Sequence, residues 1–223
     1  MAIETLRAEQ DSRVSREETS RYFYPNKMGR IILLAMEEEM GRNGVNAILN
    51  LARLQHRIDS YPPNNFAREF AFDEVGQIFQ AVDEMYGSRA GRGLARRVGQ
   101  TCFKMGVGDF GPILSLSDLV FRILPMRMKL LIGFEVLAQT LNRFTDQVVR
   151  VDEDDRYYRW IFERCGICWG RRSDSPCCHL AVGILEEEVY WISGGGRFYI
   201  EEVSCIAAGD DRCTILIGKQ PLE

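Results

Sequence analysis

The sequence predicts an α+β fold in which an N-terminal helical bundle packs on a C-terminal antiparallel sheet. Three observations carry that prediction. Apolar residues recur at helical spacing through the N-terminal part, as in Met28, Ile31, Ile32, Ala35, Met36 and Met40. Alternation takes over near Thr145, with Tyr158, Trp160 and Phe162 on one side of a strand. Six of the seven cysteines then fall between Cys165 and Cys213.

Residues 1–20 are polar and charged and read as a flexible N-terminal arm. A single domain is expected over 21–223, helical at 21–144 and sheet-forming and cysteine-rich at 145–217. Arg21-Tyr-Phe-Tyr-Pro25 leads into the first helix, which Gly41 stops. Val45, Ile48, Leu49 and Ala52 form a second, and Tyr61-Pro-Pro-Asn-Asn65 is a loop. Phe72, Val75, Phe79, Val82 and Tyr86 share the face of a third helix. Asp73 and Glu74 suit the positive end of its dipole, and Gly87 caps it. Helix resumes over 91–105, and two further helices at 116–124 and 130–144 are separated by Pro125. Strands at 147–151 and 156–162 pair through the acidic turn at Asp152 to Asp155. A helix over 176–192 places Glu186, Glu187 and Glu188 on its solvated side and ends at three consecutive glycines. Strands at 198–203 and 213–217 close the sheet around a turn at Gly209-Asp-Asp211.

Composition narrows the function. Net charge is −4, which disfavours a nucleic-acid partner. Arg89, Arg92, Arg96 and Arg97 make the one local basic run and read as a solvated helix face. No apolar leader opens the chain. The most apolar stretch carries Asp118, Arg122, Pro125, Arg127, Lys129 and Glu135, so no membrane span is expected. A cytoplasmic protein with reduced thiols follows, and an odd cysteine count also opposes a disulfide framework.

Reduced thiols in a cluster point to a metal. With Gly209 at the tip of the last hairpin, Cys205 and Cys213 lie opposite each other, about 5 Å apart at Cβ. Glu202 joins them on one ion only if a bulge or strand end intervenes, because a strict strand turns positions 202 and 205 to opposite faces. Cys178 reaches the sheet from the preceding helix. The rival set is the tight knuckle Cys165-Gly-Ile-Cys168, completed by Cys177, Cys178 or His179. Spacing alone does not choose between the two. Cys102 reads as a buried small hydrophobe and His56 as a surface residue. Gly106-Val-Gly-Asp-Phe-Gly111 spells a dinucleotide fingerprint, but a helix precedes it and Pro112 follows, so it reads as a helix-ending loop.

The run Cys178-His-Leu-Ala-Val-Gly183, then Phe198-Tyr-Ile-Glu-Glu202-Val-Ser-Cys205, Ala208-Gly209-Asp210 and Cys213 resembles the 4-vinyl-reductase domain family. Tyr24-Pro25, Gly29, Tyr86-Gly87 and Gly91 fit its N-terminal half. The resemblance implies a fold shared with TRAPP vesicle-tethering subunits and haem-type nitric-oxide sensors, a pocket for a small apolar molecule and a homodimer. It also implies a structural zinc on Cys178, Glu202, Cys205 and Cys213. The stretch between Cys178 and Glu202 is longer than in the family's phenol sensors, which leaves Cys177 or Glu201 as substitutes.

Two function classes compete, with a third behind them. A binding module would act as sensor or carrier for a hydrophobic, aromatic or hydrocarbon-like ligand, with zinc in a purely structural role and no catalytic residue. A reductase or accessory protein would handle a vinyl-bearing tetrapyrrole in bacteriochlorophyll biosynthesis. It would need an electron source that no motif supplies. A tethering subunit would have no small-molecule pocket.

Overall fold

The computed structural model describes residues 22–114 and 124–222, without the side chains of 108–114. The helix expected at 116–124 lies, except for Leu124, outside the described residues. The architecture is α+β, with helices first and a four-stranded antiparallel sheet last.

Strand β1 (Phe23–Pro25) pairs antiparallel with β2 (Arg68–Ala71). The aromatic lead-in was expected to run straight into helix. It is a strand instead, because its partner comes from more than forty residues away and no local pattern reveals it. Helix α1 (Asn26–Leu51) follows. Gly41 breaks it as expected, at φ +73°, a conformation glycine adopts without strain. Close packing needs a second glycine, because a Cβ on Gly29 would overlap the Phe70 ring.

Helix α2 (Phe72–Leu114) is interrupted at Gly87, where φ is +74°. Glu74 accepts the Ala71 N–H at its start and binds Arg57 through both carboxylate oxygens. The helix runs on through Gly106 to Leu114, so the expected helix-ending loop there is corrected. Glycine tolerates helix at a modest cost, and a glycine-rich segment that follows a long amphipathic run need not end it. With helix on both sides and no strand before it, the segment has none of the context a dinucleotide site requires.

Helix α3 (Met126–Phe144) begins after Pro125, and β3 (Val148–Glu153) and β4 (Tyr157–Arg164) form the expected hairpin. Tyr158, Trp160 and Phe162 are buried on one face. Helix α4 (His179–Ser193) starts three residues later than expected and ends at Gly194, which is left-handed. Strands β5 (Phe198–Ser204) and β6 (Cys213–Pro221) complete a sheet of order β3-β4-β6-β5. Helix α4 crosses α2 at backbone contact, since a Cβ on Gly183 would overlap the Arg96 carbonyl and one on Gly99 the Leu180 carbonyl. That crossing presses α4 onto the core and fixes where its first turn, with Cys178, meets the sheet.

One acidic residue departs from the expected pattern. Glu186 and Glu187 pair with Arg96 and Lys104 on the surface of α4, but Glu188 is only 3% exposed. It packs near Gly133 of α3, where an added Cβ would overlap Ile192 and stand 3.5 Å from the Glu188 carboxyl. Burial pushes its pKa up to about 8, and its Oε2 has no hydrogen-bond partner. The unfolded chain ionises this group near 4.3, so its folded form holds a proton that the unfolded form has lost between about pH 4.3 and 8. The contribution to stability is therefore full below the lower value and is lost as pH rises through the upper one. Glu188→Gln is expected to flatten this fall and to exceed the parent at pH 8.5 by up to about 5 kcal/mol. Urea midpoints at pH 5.5 and 8.5 check it, and parallel pH dependences in the two proteins would rule it out.

Candidate metal centre and apolar cavity

Strand β4 delivers Cys165 to a tight turn. Gly166 in that turn is pressed against Tyr24, where a Cβ would overlap the phenol. Gly170 follows at φ +68°, so the chain reverses directly after Cys168. Arg171 then locks the turn. Its side chain is 3% exposed and donates to the Cys177 carbonyl at 3.1 Å and to Asp83 of α2 at 2.6 Å. Cys178 occupies the N-cap of α4. Its own N–H donates to Glu202 Oε2 at 2.7 Å. Cys205 follows β5, with its N–H on Asp210 at 2.7 Å, and Cys213 opens β6. Pairing slips between Glu202 and Ser204, a bulge of the kind that lets positions 202 and 205 face the same point.

These elements gather six buried free thiols and one buried carboxyl. Cys178, Cys205 and Cys213 form a triangle with all three Sγ separations at 3.8 Å. Ligands about 2.3 Å from one tetrahedral ion stand about 3.8 Å from one another, so this triangle has the size of one face of a zinc–thiolate tetrahedron. The ligand atoms of Cys178, Glu202, Cys205 and Cys213 all lie within 4.8 Å of one another. Glu202 Oε1 is buried without a partner, a costly state that a cation would relieve. Its pKa is pushed up to about 9, first by burial and then by Cys205, against the pull of the Cys178 N–H.

The knuckle joins the same cluster. Cys165 Sγ is 3.5 Å from Cys178 Sγ, and Cys168 Sγ is 3.5 Å from Cys213 Sγ. Those four sulfurs also lie within 4.8 Å of one another. The two sets that the sequence left as rivals thus overlap in Cys178 and Cys213. Cys177 sits at the edge, 3.8 Å from Cys205. His179 falls in neither set. It is half-buried, and burial followed by Arg92, Arg96 and Arg171 lowers its pKa to about 4, which keeps the imidazole neutral. Glu201 lies on the exposed side of β5, bonded to the Tyr199 hydroxyl.

Beside the cysteine cluster lies a cavity of about 140 Å³. Met28, Ile31 and Ile32 of α1, Phe103 and Val107 of α2, Leu137 and Leu141 of α3, and Trp160 and Phe162 of β4 surround it. Ile167, between the knuckle cysteines, and Leu180, Ala181, Ile184 and Leu185 of α4 complete the wall. Its polar groups are internally occupied: Tyr24 donates to Gln147 at 2.7 Å and Thr140 to the Val136 carbonyl. Cys102, read from the sequence as plain core, also lines it, and burial pushes its thiol far up, so it stays protonated. The aromatic and aliphatic composition was visible in the sequence. Which of these residues faced a cavity was not, because that depends on how five elements meet. Ile167 had one local signal, as the lone large apolar residue in a turn held by two cysteines.

No protein-family description and no curated protein matches this chain. Solved structures do share its fold. An H-NOX protein studied for heme distortion is 16% identical with a TM-score of 0.57, covering 89% of this chain and 97% of its own. An H-NOX protein from S. oneidensis in the Fe(II)NO ligation state is 14% identical with a TM-score of 0.55, covering 87% and 99%. An oxygen-binding H-NOX domain related to soluble guanylate cyclases is 15% identical with a TM-score of 0.53, covering 86% and 93%. The chain therefore has the fold of the H-NOX domains. Among the described residues, no helix is long and apolar enough to cross a membrane.

The cavity does not fit heme. An axial ligand comes from histidine, thiolate, methionine or tyrosinate. Among the described residues neither histidine, His56 or His179, lines the cavity, its one methionine, Met28, has no histidine there to share a heme iron with, and no arginine or lysine lines it to meet the propionates. Cys102 is a neutral thiol, and burial holds Tyr24 protonated as well. The volume matches the engineered cavity of about 150 Å³ that accepts benzene or xenon, not a macrocycle.

Proposed function

We propose that residues 21–223 form one ligand-binding domain, acting as a sensor or carrier for a small apolar molecule, with a structural zinc on Cys178, Glu202, Cys205 and Cys213. The observation that carries this reading is the apolar cavity of about 140 Å³, whose wall includes the residues directly joined to the cysteine turns. A closed shell of three thiolates and a carboxylate leaves no position for water, so the ion would serve structure rather than catalysis. It would clamp the last hairpin to the first turn of α4 and thereby set Leu180 and Ala181 in place.

The presence of a cavity favours binding over a pure tethering role. Its size favours a one-ring aromatic or short hydrocarbon over a vinyl-bearing tetrapyrrole. The homodimer and the cytoplasmic location implied earlier belong to this proposal, and the native mass of the protein tests the former. Ligand binding is tested by thermal unfolding with benzene. A ligand that binds only the folded state raises the midpoint, by about 2.7 kcal/mol of added stability at a hundredfold excess over Kd. We expect benzene to raise it and glycerol at the same concentration to leave it unchanged. An unchanged midpoint with benzene would remove the ligand-binding reading.

A further inference from the structure

We propose that the cysteine cluster holds two zinc ions rather than one, with Cys178 and Cys213 as bridging thiolates. Cys165 and Cys168 would complete the first ion, and Cys205 and Glu202 the second. This rests on the zinc reading above and extends it.

The argument is one of accounting for every donor. A single ion on Cys178, Glu202, Cys205 and Cys213 leaves Cys165 and Cys168, 1% and 3% exposed, pressed against the sulfurs of bound ligands. A single ion on the knuckle set strands Cys205, together with Glu202 and its partnerless buried Oε1. Either choice leaves donors buried and unused beside a cation. The two tetrahedral sets share one edge, the 3.8 Å line between Cys178 and Cys213, and that is the edge two zinc tetrahedra would share through bridging sulfur.

The bridging positions are also the central ones in the geometry. Cys178 Sγ touches the sulfurs of Cys165, Cys205 and Cys213, and Cys213 Sγ touches those of Cys168, Cys178 and Cys205 and accepts the Ile206 N–H at 3.3 Å. Five thiolates and one carboxylate exceed the charge of two zinc ions by two. Bridging lowers the number of anions needed per ion, which suits a site this buried. Sulfur separations of 3.5 to 3.8 Å are also those of thiolates around a shared zinc, whereas a 4Fe–4S cluster binds each of its four cysteines to a different iron and spreads them wider.

The test is native mass spectrometry of the full chain purified with zinc in the medium. It is paired with ¹¹³Cd NMR of the cadmium-exchanged protein. The wild type is expected to carry two zinc ions, and Cys165→Ser with Cys168→Ser to carry one while keeping its secondary structure. The cadmium form is expected to give two resonances split by coupling through shared sulfur, a readout that does not depend on the variant folding. One zinc in both proteins would overturn the binuclear centre and leave the single-ion reading intact. One zinc in the wild type, lost in the double variant, would overturn both the bridge and the assignment of the single ion. Two uncoupled cadmium signals would overturn bridging, and an absence of metal would remove both readings.

Discussion

Cys205→Ser and Cys213→Ser are each expected to lower stability by at least about 3 kcal/mol, or roughly 6–12 °C in thermal midpoint for a chain of this size. The reason is that metal-binding energy is folding energy when the ligands meet only in the folded state, and structural zinc can supply about 10–16 kcal/mol in small domains. The proposed ligands come from four places in the chain: the end of β4, the first turn of α4, the bulge of β5 and the start of β6. Without an ion, the folded protein must bury a carboxyl oxygen without a partner among thiols packed at 3.5 to 3.8 Å. Serine keeps the size but is a poor zinc ligand at neutral pH. Cys102→Ser is the control, because Cys102 is not part of the cluster. Wild-type midpoints in the Cys205 and Cys213 variants would show that no ion stabilises the fold.

Cys102→Phe is expected to abolish benzene binding, with a loss of at least a hundredfold in affinity, while leaving the protein folded. Cys102 faces the cavity from α2, and the added ring would occupy the space the ligand needs. Overpacking a filled core costs about 1–3 kcal/mol, but a cavity of about 140 Å³ accepts the ring with less strain. Equilibrium titration followed by tryptophan fluorescence reads the effect, since Trp160 lines the same space. Undiminished binding in Cys102→Phe would place the ligand elsewhere.

Much of the architecture was legible because helical spacing and strand alternation are local properties. Gly41 and Gly87 interrupt their helices where the sequence put the breaks, and Tyr158, Trp160 and Phe162 face inward together. What was not legible depends on distant partners. Phe23–Pro25 is a strand only because Arg68–Ala71 lies beside it. Glu188 belongs by charge with its two ion-paired neighbours, and its burial follows from how α4 packs on α3 around Gly133. The cysteines could be identified as a cluster from their density along the chain. That the knuckle and the hairpin share Cys178 and Cys213 could not, since it follows from where α4 is held by its glycine crossing with α2. The heme of the H-NOX proteins is a similar case. The fold is shared, but among the described residues the side chains facing the cavity offer no axial histidine and no cation.

The central claim is that a metal-clamped turn forms one wall of an apolar ligand cavity. Calorimetric titration of benzene into the zinc-loaded protein and into the same protein after chelation tests it most directly. The account predicts one binding site per chain when zinc is present and none once it is removed, as Leu180 and Ala181 lose their support. Equal affinity in a chelated protein that remains folded would contradict it.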